Sequence, residues 1–155
     1  MLQSEKRVAA AANAVKESWC ASATVHGDLK LEHIVLADGD ASAASNSDVW
    51  LVDWECARRG PSVWDFAGLV QSAISLAALG QLRWSENVTG FLRSSLADVP
   101  VESERFAQLV AMRLWQTALE HETYRDQLSR PAGELCQLAL RVVEQPQRLV
   151  HLLAT

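Results

Sequence analysis

Apolar side chains recur at helical spacing along most of the chain, and two short stretches break that rhythm. Val8, Ala11, Ala12, Val15 and Trp19 stand three and four apart, so residues 2–19 read as one amphipathic helix. Residues 21–24 make a short connector. Ile34, Val35 and Leu36 then form a β-type run, closed by the turn-like residues 37–40 and a small-polar loop over 41–47. Val49 to Val52 is a second β-type run, and the two runs fit a small hairpin.

Beyond Pro61 the pattern is helical throughout. Residues 65–79 are apolar on most faces, which predicts a buried helix ended by Gly80. Ser85 is placed to cap a helix over 86–96, with Pro100 just past its stop. A long helix is expected from 102 to about 125. Its stripe is Phe106, Leu109, Val110, the alkyl stem of Arg113, Leu114, Thr117 and Ala118. Pro131 suits the first turn of a helix over 132–144, and Pro146 breaks that helix before a short final one. The expected class is α+β, mostly α: a small β-hairpin followed by a helical bundle, in one domain over 1–155.

Composition narrows the function classes. Of 155 residues, 49% are hydrophobic and 21% charged, which excludes disordered and collagen-like chains. Fourteen Lys and Arg against nineteen Asp and Glu leave a net charge of −5, so no nucleic-acid partner is expected. Cys20, Cys56 and Cys136 are isolated and form no C-x-x-C pair, as expected of reduced thiols in a cytoplasmic protein. The most apolar stretch, FAGLVQSAISLAALG, is interrupted by Gln71, Ser72 and Ser75, so no membrane partner is expected. Glu5, Lys6, Arg7, Lys16 and Glu17 make the first helix unlike a secretory leader.

The two stretches that break the packing rhythm are His26-Gly27-Asp28-Leu29-Lys30-Leu31-Glu32-His33 and Val52-Asp53-Trp54-Glu55. Each sets an Asp at the edge of an apolar β-type run, from which a carboxylate can point into a cleft. Phosphoryl transfer needs two such carboxylates: one orients the attacking hydroxyl and accepts its proton, and another holds Mg²⁺ between the phosphates.

With these motifs the sequence resembles the aminoglycoside phosphotransferase/choline kinase family, which has a protein-kinase-like fold. That family shows H-G-D-x-x-x-x-N, then an apolar residue and D-W-E, then G-x-P-x-x-D-(L/F)-A or a close variant. His26, Gly27 and Asp28 match the first motif, and Asp53, Trp54 and Glu55 the second. Gly60, Pro61, Asp65, Phe66 and Ala67 match the third with small spacing differences. The helical remainder matches the family's C-terminal lobe. The resemblance implies that Asp28 is the catalytic base and that His26 braces its loop. It makes Asp53 the main Mg²⁺ ligand and Asp65 the acid that anchors the loop by accepting backbone N–H bonds. Glu55 is expected to support the loop structurally. Lys30, two positions after Asp28, is placed to neutralise the transferring phosphoryl group.

Two departures qualify the resemblance. His33 stands where the family has a metal-binding Asn, and an imidazole is a poorer Mg²⁺ ligand than an amide oxygen. Either it shares the metal with Asp53 weakly, or it only holds the loop. The family's N-terminal lobe, with its strand Lys and phosphate-covering loop, has no counterpart here, and no G-x-G-x-x-G or G-x-x-x-x-G-K-S/T occurs. The expectation is therefore a phosphotransferase subunit that uses Mg²⁺ and ATP on a hydroxyl-bearing substrate, together with a second chain supplying that lobe. The alternative is a catalytically inactive kinase-like scaffold or regulatory subunit. In either case Leu29, Leu31, Val52, Trp54 and Trp64 are expected to border a concavity the missing lobe would cover. Arg58 and Arg59 read as a solvated loop pair. Trp19, Trp84 and Trp115 read as packing residues or contacts to a neighbouring domain, and His121 and His151 have no assigned role.

Overall fold

The computed structural model describes residues 2–36, 49–96, 102–122 and 129–149. The turn expected at 37–40, the loop at 41–47, Pro100, the last turns of the helix expected to reach 125, and the end of the chain from 150, with His151, lie outside these residues.

Five helices and four short strands follow in the order α1 (Leu2–Glu17), β1 (Ala23–Val25), β2 (Ile34–Leu36), β3 (Val49–Leu51), β4 (Arg58–Gly60), α2 (Val63–Ala78), α3 (Glu86–Leu96), α4 (Ser103–Glu120) and α5 (Arg130–Glu144). The chain is mostly helical with a small β component, as the pattern predicted. Helix α4 is the centre of the bundle and packs chiefly on α5 and α2, less on α1. Its apolar stripe is buried: Phe106, Leu109, Val110 and Leu114 meet Val70 and Ala73 of α2 and Leu135 and Ala139 of α5 in one core cluster. Removing a fully buried leucine such as Leu114 from water contributes about 1.5–3 kcal/mol.

The helix ends follow local chemistry. Ser129 caps α5 by accepting from the Ala132 N–H at 3.3 Å, with Pro131 in the first turn. Ser85 Oγ accepts weakly from Val88 N–H at 3.4 Å at the start of α3. Gly80, with φ +70°, takes the left-handed turn that ends α2. Helix α2 starts two residues earlier than the spacing indicated, because Trp64 N–H bonds to Pro61 O. Helix α1 stops at Glu17, and Trp19 turns in to meet the edge of Trp64, ring centroids 5.2 Å apart.

The expected hairpin forms: β2 pairs antiparallel with β3, Val35 opposite Trp50. A second ladder was not expected. The connector at 21–24 and the arginine loop at 58–59 contribute β1 and β4, which pair antiparallel with Ala23 opposite Gly60 and Val25 opposite Arg58. Ala23–Val25 and Arg58–Gly60 lack the apolar β-type run that marks β2 and β3, so they read as loop. The Arg58 guanidinium lies 5.7 Å from the Trp19 ring and 5.9 Å from that of Trp64, and Arg59 bonds the Ala21 carbonyl at 2.9 Å. The second ladder encloses the first, and the two chemistry-bearing stretches, 26–33 and 52–57, are the unpaired spans between them.

Candidate functional site

Gly27 has φ +87°, a left-handed conformation that suits glycine. A Cβ there would stand 2.2 Å from the Cys56 carbonyl oxygen, so the first stretch lies directly against the second. Asp65, in the first turn of α2, fixes this loop: its Oδ2 accepts from His26 N–H at 2.8 Å and its Oδ1 from Gly27 N–H at 3.0 Å. Charge-assisted acceptance of two backbone N–H groups holds a loop firmly. Three further bonds tie the loop to the bundle. Trp64 Nε1 donates to Gly27 O at 2.8 Å, Ser72 Oγ accepts from Leu31 N–H at 3.1 Å, and the Arg113 guanidinium of α4 reaches Asp28.

His26 is buried, with its Nε2 2.8 Å from the Val52 carbonyl oxygen. Its ring stacks on His33, centroids 5.5 Å apart, and meets Trp54 at 4.8 Å. It therefore joins the two stretches, whereas the resemblance had it brace one. Val52 N–H in turn bonds His33 O at 3.0 Å.

Asp28 lies between two cations. Oδ1 accepts from Arg113 Nη2 at 2.6 Å, and Oδ2 is 3.0 Å from Lys30 Nζ. Burial alone would push the Asp28 carboxyl up; the hydrogen bonds from Arg113 and Lys30 outweigh it and hold the group below the usual carboxylate range. Burial likewise works against the Lys30 ammonium, but Asp28, with Glu120 behind it at 3.6 Å, raises its pKa.

Asp53 is a non-glycine residue in the left-handed region, φ 67° and ψ 53°, a conformation that Asp tolerates better than most and that clusters at functional positions. Its half-exposed carboxylate has Oδ2 3.4 Å from His33 Nε2. Among the described residues no group of three or more His, Cys, Asp or Glu side chains is disposed to hold a metal ion. The donor set is therefore no self-sufficient metal centre. The half-exposed Asp53 carboxylate is a single hard oxygen donor, of the kind a hard cation takes together with ligands from elsewhere. The buried His33 imidazole does not suit Mg²⁺; its Nε2 faces Asp53, a geometry for orienting that carboxylate.

Asp65 takes the loop N–H groups, as the resemblance implied, and Glu55 is exposed on the short turn Trp54–Cys56. Other expectations are corrected. Leu29 and Trp64 are buried and Leu31 packs against the core, because the loop is tied to α2. Val52 and Trp54 are exposed as expected, and they belong to a larger apolar band with Val35, Leu36, Val49, Trp50 and Leu51, each 40–63% exposed. Arg113, read from its spacing as an alkyl stem, brings its charge to Asp28. The signal was a lone Arg in an otherwise apolar stripe. Its neighbours Gln116 and Glu120 were also missed.

Among the described residues no helix is long and apolar enough to cross a membrane. No family model matches the chain, and no curated protein or solved structure matches it at a significant level.

Proposed function

We propose that the chain is the catalytic-loop-bearing, kinase-like lobe of a phosphotransferase that moves a phosphoryl group from Mg²⁺·ATP to a hydroxyl-bearing acceptor. A nucleotide-binding lobe lying outside these 155 residues would complete the site. The observation that carries this reading is the grip of Asp65 on the backbone N–H groups of His26 and Gly27, which presents Asp28 on a rigid loop beside the Asp53 stretch. The resemblance assigned that role to Asp65 from sequence alone.

In this reading Asp28 orients the acceptor hydroxyl and takes its proton, as the transferring group leaves through a loose transition state. Lys30 sits 3.0 Å from Asp28 and is the cation available to a phosphoryl oxygen developing charge there. Asp53 would hold Mg²⁺, with His33 setting the angle of its carboxylate. The metal, when bound, would neutralise phosphate charge. The acidic balance of the chain favours a cationic or peptide-like acceptor by long-range attraction.

The test is substitution in the assembly purified from its native host. Asp28→Asn and Asp53→Asn are each expected to lower phosphoryl transfer ~10²-fold or more while the protein stays folded. Asparagine also tolerates the left-handed backbone at position 53, so the second variant reads charge and not strain. Wild-type turnover in both variants would refute the phosphotransferase reading and leave a binding module.

The scaffold reading also has an observation in its favour. Both oxygens of Asp28 are engaged by cations of the chain itself, an arrangement that is stable with no substrate present.

A further inference from the structure

Arg113 is the fully buried guanidinium of the bundle, 1% exposed, and among the described residues no Lys or other Arg is buried. Burying this charge is costly, and an apolar side chain of similar volume commonly serves packing as well or better. Its contacts point elsewhere. Nη2 bonds Asp28 Oδ1 at 2.6 Å, Nη1 bonds Gln116 Oε1 at 2.7 Å, and the guanidinium lies 5.3 Å from the Trp64 ring. Gln116 Nε2 then bonds Glu120 at 2.9 Å, and Glu120 reaches Lys30. Arg113, Gln116 and Glu120 stand at i, i+3 and i+7, so one face of α4 supplies all three.

We propose that Arg113 is the positioning residue for Asp28. It holds Oδ1 and so fixes the rotation of the carboxylate, leaving Oδ2, beside Lys30, as the oxygen offered to the acceptor hydroxyl. This rests on the phosphotransferase reading. A planar fork suits the task, because one nitrogen engages the carboxylate while a second is anchored on the helix, which an ammonium point charge cannot do with the same rigidity. The charged and polar groups facing Asp28 are Arg113 from α4 and Lys30 from its own loop, with Gln116 and Glu120 behind them.

Two measurements separate this proposal from the reading beneath it. The first is a carbon-detected NMR titration of the Asp28 carboxyl in the chain itself, with Asp28→Asn for assignment, comparing wild type, Arg113→Met and Arg113→Lys. The second is the pH–rate profile of the complemented assembly. In Arg113→Met the Asp28 midpoint is expected to rise, transfer to fall ~10²-fold as a misplaced group requires, and the acid limb of the profile to move up with the midpoint. Arg113→Lys is expected to restore most of the midpoint and only part of the rate. Should Arg113→Met fail to fold, Gln116→Leu carries the titration, by removing the nearer of the two acceptors of Nη1, the other being Gly27 O at 3.5 Å, and Arg113→Lys carries the rate. An Asp28 midpoint unmoved in Arg113→Met, or in Gln116→Leu where Arg113→Met does not fold, or a rate loss with a fixed acid limb, overturns the proposal. If the wild-type assembly transfers no phosphate, the phosphotransferase reading fails; the titration alone then decides whether Arg113 governs Asp28.

Discussion

At the residue scale the Asp28 carboxylate lies between two cations, and its environment fixes a pH dependence. Because folding depresses its pKa, the ionised form stabilises the fold fully above the unfolded value near ~3.9. That contribution fades as pH falls from there through the lower folded value. Lys30 has the opposite sign: its raised pKa stabilises the fold below its unfolded value near ~10.4, and the contribution is lost as pH rises through the folded one. The difference in melting temperature between wild type and Asp28→Asn is therefore expected to be flat across neutral pH and to shrink below about pH 4. Calorimetry over pH 3–8 checks this; a gap that widens in acid would contradict the ion-paired geometry. Asp28, Asp53 and Asp65 were legible in the sequence because each sits in a short motif whose spacing is tied to a backbone turn. Arg113 was not, because a long alkyl stem fits an apolar stripe whether its head is in water or in the core.

At the element scale the β2–β3 hairpin is out of keeping with the rest. Both strands are edges, and both carry exposed apolar side chains, with Trp50 60% exposed opposite Val35. Open edges bearing an apolar face promote association. Replacing the cross-strand pair, Val35→Thr with Trp50→Thr, keeps strand propensity while removing most of that face. The double variant is expected to lower the apparent mass in light scattering at matched concentration. Equal scattering would mean the band is not adhesive. The hairpin was legible because two β-type runs flank a small-polar stretch. The β1–β4 ladder was not, because Ala23–Val25 and Arg58–Gly60 contain no apolar β-type run such as Ile34–Leu36 and Val49–Leu51 show.

At the scale of the whole molecule, the helices were legible and their relation to the loop was not. Spacing within a helix shows which face is apolar, but it does not show that α2 and α4 turn Trp64, Ser72 and Arg113 towards the same eight residues. Those contacts join the bundle to the loop, so the site is as rigid as the core behind it. The nested ladders have a consequence for how the chain tolerates insertions and deletions. The β1–β4 register is set by the length of the span between β3 and β4, and a slip of one residue turns every side chain to the opposite face. One residue inserted after Ala57 would bring Arg59 to the place of Gly60, where even a Cβ lies 3.0 Å from Val25 and 3.1 Å from Trp19. Such an insertion is expected to cost soluble expression or several degrees of melting temperature. An equal insertion beside Gly80, where a Cβ meets open space, should be borne with little change. Lineages descended from this chain should therefore vary in length around residue 80 and hold it constant between 52 and 60.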